Sequence, residues 1–62
     1  MKVRVHFDEV KKVPNFLYNR YDGAFRDVVS VELAEGFTEI VESDGEHVAI
    51  NNKIILAIET KV

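Results

Sequence analysis

Sixty-two residues allow a single domain, and a chain this short buries only about 60% of its unfolded surface. It has no Cys, so neither a disulfide nor a thiolate metal site staples it, and no run of 18 apolar residues, which excludes a helical membrane span. The net charge of -3 hides an asymmetry of +2 over residues 1–30 and -5 over residues 31–62; the acidic half reads as solvated faces and turns, or alternatively as a surface that binds a basic partner or mimics nucleic acid.

Lys2 to Asp8 reads as the first strand. Val3, Val5 and Phe7 point one way, and Lys2, Arg4, His6 and Asp8 the other. That alternation in MKVRVHF is unlike the continuous apolar core of a signal peptide, so a cytoplasmic protein is expected. Glu9 to Pro14 is a polar connection. Asn15 to Tyr21 is ambiguous. Three aromatics and the following Asp22-Gly23 favour a strand that returns through Ala24-Phe25-Arg26, while Pro14 and an Asn15 cap would suit a short helix.

Val28 to Thr60 reads as a four-stranded meander: VVSVEL, FTEIVES, EHVAI and IILAIET. Asp44-Gly45 predicts a type I′ turn with both residues at positive φ. Gly36 takes the left-handed position after Glu35, and Asn51-Asn52 is a third turn whose Asn tolerates that region. The alternation predicts a core of Val3, Val5, Phe7, Val29, Val31, Leu33, Val48, Ile50, Leu56 and Ile58. Glu32, Glu35, Glu39, Glu42, Asp44 and Glu46 are read as solvated faces and turns. Together the pattern predicts an all-β fold, a small antiparallel meander rolled into a barrel of five to six short strands.

In EHVAINNKIILAIE a strand ends in a tight polar turn and a short apolar strand follows. This resembles the last two strands of SH3-like and Sm-like barrels. The leading MKVRVHF and the closing I-x-x-I-E are also similar to short β-rich proteins encoded by phages and mobile elements of Gram-positive bacteria. That resemblance implies a small accessory factor and carries no binding residues with it.

Catalytic chemistry finds no foothold. His6 and His47 lie on outward faces with no Cys nearby, and two histidines make a weak metal site. The carboxylate pairs fall in turns or on wet faces, where nothing raises a pKa for acid catalysis. Phosphate loops and nucleophile elbows are missing from the sequence. A non-enzyme without metal or cofactor is expected. Two binding readings remain. The first is a protein-interaction domain that binds a protein partner or itself: with 47% hydrophobic residues the chain has more apolar side chains than so thin a shell covers. Ile40, Ile55 and Ala57, on the second faces of their strands, are the candidate self-association residues, and a symmetric dimer is expected. The second is a single-stranded nucleic-acid binder using Lys11, Lys12, Phe16, Tyr18, Arg20, Tyr21 and Arg26, where bases would stack on rings between cations.

Overall fold

The computed structural model describes residues 1–9 and 12–62. The first strand, β1 (Lys2–Phe7), forms as its alternation predicts, with Val3 and Val5 fully buried and Phe7 nearly so. The next element is a helix, α1 (Asn15–Tyr21), which overturns the strand reading. The decisive feature is a four-residue spacing: Leu17 and Tyr21 are both buried on one stripe of the helix, and Val13, just before it, is buried with them. Phe16 and Tyr18 fall on the other side and stay exposed. Pro14 opens the helix and its carbonyl accepts from Leu17 N–H and Tyr18 N–H at 3.0 and 3.1 Å. Asn15 is therefore the first helical residue and not its cap.

Four more strands follow: β2 (Arg26–Leu33), β3 (Phe37–Glu42), β4 (His47–Asn51) and β5 (Ile55–Lys61), the last two joined by a 3-10 turn at Asn52–Ile54. All pairings are antiparallel and the order across the sheet is β4-β3-β2-β1-β5. Five strands form, within the five to six expected. β2, β3 and β4 make a meander, but β5 does not extend it. The 3-10 turn carries the chain across to the far edge, where β5 pairs with β1 from Lys2↔Lys61 to Phe7↔Ile55. β1 is thus an inner strand. The sheet rolls far enough for a three-residue turn to bridge its two edge strands, yet no ladder joins β4 to β5, so it is an open roll and not a closed barrel.

Two bulges set which side chains face inward. In β2, Val28 pairs with Glu42 and Ser30 with Val41, leaving Val29 as the extra residue. In β5, Ile55 pairs with Phe7 and Ala57 with His6, leaving Leu56 as the extra residue. One extra residue moves every later side chain to the other face. Val28 is consequently buried and Val29 exposed, and Leu56 is 69% exposed. The core placements of Val29 and Leu56 are therefore wrong. Val31 and Ile58 pack against the core, half-buried, and Val48 and Ile50 are buried as expected. Leu33, in phase with Val31, is 76% exposed because it lies beyond the end of β1. The core is closed on one side by α1, whose Leu17 and Tyr21 join Val3, Val5, Ile40 and Ile50.

The turns use glycine as the sequence suggests, with one correction. Gly36 and Gly45 have φ of 88° and 92°, conformations that cost a side-chained residue about 1–2 kcal/mol. Asp44, however, is not at positive φ. Gly45 N–H donates to Glu42 C=O at 2.8 Å, so Ser43 and Asp44 are the central residues and Gly45 follows them, a turn plus bulge in place of type I′. Asn51 is also not left-handed. Its φ is -62° and its side chain accepts from Lys53 N–H at 2.9 Å, starting the 3-10 turn.

Candidate functional site: an apolar cleft between two strands

The basic and aromatic residues of 11–26 do not form one face. Lys11 lies outside the described residues. Lys12 is exposed and pairs with Glu9 at 2.6 Å. Phe16 and Tyr18 point to solvent from α1, whereas Tyr21 is fully buried. Arg20 and Arg26 turn inward to carboxylates: the Arg20 guanidinium donates to both oxygens of Glu46 at 3.0 and 3.3 Å, and Arg26 Nε donates to Glu42 Oε1 at 2.5 Å. Two of the cations expected to meet phosphates are already neutralised.

Glu42 is the centre of that network, and it is 3% exposed. It accepts from Tyr21 Oη at 2.5 Å and from Arg26, and Arg20 Nε lies 3.4 Å from its Oε2. Its charge and its place in a hairpin predict a wet residue. The signal against that was its phase, since Thr38, Ile40 and Glu42 alternate on one face of β3 and all are buried. Burial alone pushes the Glu42 carboxyl up, but the hydrogen bonds from Tyr21 and Arg26 and the charges of Arg26 and Arg20 outweigh it and hold the pKa below the usual range. Burial first, then the bond to Glu42, pushes the Tyr21 phenol well above its ordinary value. The bond to Glu46 chiefly, against some desolvation, raises the Arg20 guanidinium. Every partner is satisfied, and the network fastens α1 to β3. It is a structural lock.

A second polar group lies on the outer face of β1 and β5. Arg4 Nη2 donates to Glu59 Oε1 at 2.7 Å, and His6 Nε2 meets the same oxygen. These bonds, that of His6 first, lower the Glu59 pKa. Arg4 and Lys61 also lie 4.7 and 4.4 Å from the Phe25 ring centre. Among the described residues no group of three or more His, Asp or Glu is placed to hold a metal ion.

The feature that sequence reasoning missed is a cleft. It opens between the inner faces of β2 and β5, at the side of the roll that α1 does not cover, and has a volume of about 590 Å³. Val31, Leu33, Ile55, Ile58 and Met1 line it, with Thr38, Asn52 and Thr60 as its polar groups. Asn52 builds one wall. Its side chain donates to Ala34 C=O at 3.0 Å and accepts from Thr38 Oγ1 at 2.6 Å, and its N–H donates to Gly36 C=O at 3.1 Å. The β2–β3 hairpin tip is thereby pinned to the 3-10 turn. Of the three expected self-association residues, Ile55 lines this cleft, half-buried, and Ala57 is exposed on the other face of β5. Ile40 is fully buried inside the chain, because α1 and the roll of the sheet cover the face that the sequence seemed to leave open; it cannot form a surface contact.

The chain matches no protein family, no curated protein and no solved structure. The reading of its function rests on the cleft. No helix among the described residues is long and apolar enough to cross a membrane.

Proposed function

We propose that the protein is a non-catalytic protein-interaction domain whose cleft takes the apolar side chains of an extended protein segment. The observation that carries this reading is the cleft itself: about 590 Å³ of mainly apolar space, with Leu33 standing 76% exposed on its rim. Exposed apolar surface grouped around a concavity marks an interaction site, whereas single exposed apolar residues do not. The walls are strands, and an extended segment lying along a strand presents alternate side chains at the spacing such a groove accepts. The polar network around Glu42 supports a non-catalytic role, because it is closed and satisfied.

Fluorescence anisotropy with a labelled seven-residue peptide of alternating Val and Thr, flanked by Lys for solubility, tests the proposal. The wild-type chain binds it, and Leu33→Lys weakens binding at least about tenfold with an unchanged melting temperature, since so exposed a residue contributes within about 0.5 kcal/mol to folding. Equal binding by both proteins refutes the cleft reading. Binding of a labelled oligonucleotide that falls steeply with salt, with no peptide binding, replaces it with nucleic-acid recognition.

A further inference from the structure

β2 outruns its neighbour on one side. β1 pairs with it only through Lys2↔Asp27 and Val3↔Arg26. Met1 then exchanges backbone hydrogen bonds with Val28, at 3.2 Å from its amine and 2.9 Å to its carbonyl. Among the described residues nothing pairs with Val29 to Leu33 on that side. The hydrogen-bond phase of the hairpin shows which groups are free there. Ala34 N–H bonds to Phe37 C=O, so in the alternating antiparallel ladder Glu32↔Glu39 is a bonded pair, and Leu33↔Thr38 and Val31↔Ile40 are non-bonded pairs. The N–H and C=O groups of Val31 and Leu33 therefore turn away from β3, toward the open edge of β2.

The geometry points to a second copy of this chain as the occupant, its β2 pairing antiparallel with this β2 about a two-fold axis through Val31. This rests on the cleft reading above and names its partner. The register is what selects a copy of itself. Centred on Val31, the pairing uses the five free positions between the Met1 contact and the turn at Ala34. Val31 meets its own counterpart, and the two copies exchange both of its free backbone bonds. Leu33, 76% exposed, comes opposite the bulged Val29 of the second copy. Glu32 comes opposite Ser30. A register centred on Glu32 sets two carboxylates face to face, a repulsive arrangement, and one centred on Ser30 places Glu32 against Val28, which Met1 already occupies. One patch serves both sides, as a two-fold contact requires, and an unprotected strand edge is a ready template for such pairing.

The contact is weak. A standard interface takes roughly 800 Å² from each partner, about a fifth of the 4155 Å² exposed by this chain. Five paired residues with the cleft rim fall short of that, which places the contact among weak, transient interfaces.

Sedimentation equilibrium up to about 1 mM is the test, on three forms of the full chain. The wild type rises from 7.1 kDa toward twice that mass. Leu33→Lys raises the dissociation constant at least about tenfold. A chemically synthesised chain N-methylated at Val31 loses a donor that β3 does not use, so it keeps the wild-type circular dichroism and stays monomeric. A wild type that remains at 7.1 kDa throughout, or a dimer that both alterations leave unchanged, overturns the inference. A monomer that still binds the Val/Thr peptide in a Leu33-dependent way removes the second copy and keeps the cleft. A chain that neither dimerises nor binds the peptide removes both.

Discussion

Replacing Glu42 with Gln keeps the shape of the buried side chain and removes its charge. Glu42 has three partners: Tyr21 Oη and Arg26 Nε, both at 2.5 Å, and Arg20 Nε at 3.4 Å. Its own side chain is 4% exposed, whereas Arg20 and Arg26 are 24% and 40% exposed. Breaking a fully buried ion pair costs about 3–5 kcal/mol. Here the two cations reach water and recover part of that, so the loss is nearer that of one or two charge-assisted hydrogen bonds, about 2–3 kcal/mol. A 62-residue domain has a total stability of roughly 3–9 kcal/mol, and each kcal/mol moves the melting temperature of so small a domain by about 4–8 °C. Glu42→Gln should therefore lower the melting temperature by about 10–20 °C, followed by far-UV circular dichroism. Glu46→Gln removes the solvent-exposed partner of the same Arg20 and should cost less than about 1 kcal/mol. Tyr21→Phe combined with Glu42→Gln should cost less than the sum of the two, because both changes act on the same charge-assisted hydrogen bond. A Glu42→Gln protein melting within 2–3 °C of wild type, or strictly additive losses, would show that Glu42 does not fasten α1 to β3.

Further outcomes follow from the same structure. Glu42 and Glu59 both have pKa values lowered on folding, so their contribution is present above the ordinary Glu value of about 4.3 and is lost as pH falls through their lower folded values; a chain equally stable at pH 2 and pH 6 contradicts this. Tyr21 is raised on folding, so its contribution is complete below about pH 10 and fades above it, and the phenolate absorbance of Tyr21 should appear together with unfolding. Gly45→Val should cost about 1–2 kcal/mol through backbone strain alone, since a Cβ there meets nothing within 4 Å; an unchanged chemical-denaturation midpoint contradicts the positive φ. Leu56→Ala should change stability by less than about 0.5 kcal/mol, whereas Ile50→Ala, fully buried, should cost about 2–5 kcal/mol; the reverse order in a urea series would mean that β5 has no bulge. Asn52→Ala should cost about 1–3 kcal/mol by leaving Thr38 and the hairpin tip unpartnered, and amide exchange should quicken at Gly36 and Phe37 before it does in β1.

How far the sequence spoke for the structure depends on whether the information was local. The alternation of Val3, Val5 and Phe7 and the left-handed Gly36 and Gly45 are local facts, and they were readable. The helix was readable too, in the Val13, Leu17, Tyr21 spacing, but three aromatics and an Asp-Gly pair argued louder for a strand. The phases of Val29 and Leu56 were not readable, because a bulge depends on which strand lies alongside and leaves no mark in its own residues. The same holds for β5 crossing to β1: a short polar turn after β4 suits a hairpin and a crossover equally. Glu42 was hidden by its charge. Its inward phase with Thr38 and Ile40 was visible, but burial of a carboxylate needs partners from α1 and β2 that are 21 and 16 residues away. The cleft was hidden for a related reason. It exists because β2 continues past β1, a matter of strand length against register that alternation alone does not encode.

The central claim is that the apolar cleft between β2 and β5 is the interaction surface. Amide chemical-shift mapping of the ¹⁵N-labelled chain, during a titration with the Val/Thr peptide and along a concentration series of the chain alone, tests it most directly. The account predicts the largest shifts at Val29, Val31, Leu33 and Thr60 in both experiments, with Phe16, Tyr18 and Arg20 of α1 unmoved. Shifts concentrated on α1, with the cleft residues still, would contradict it.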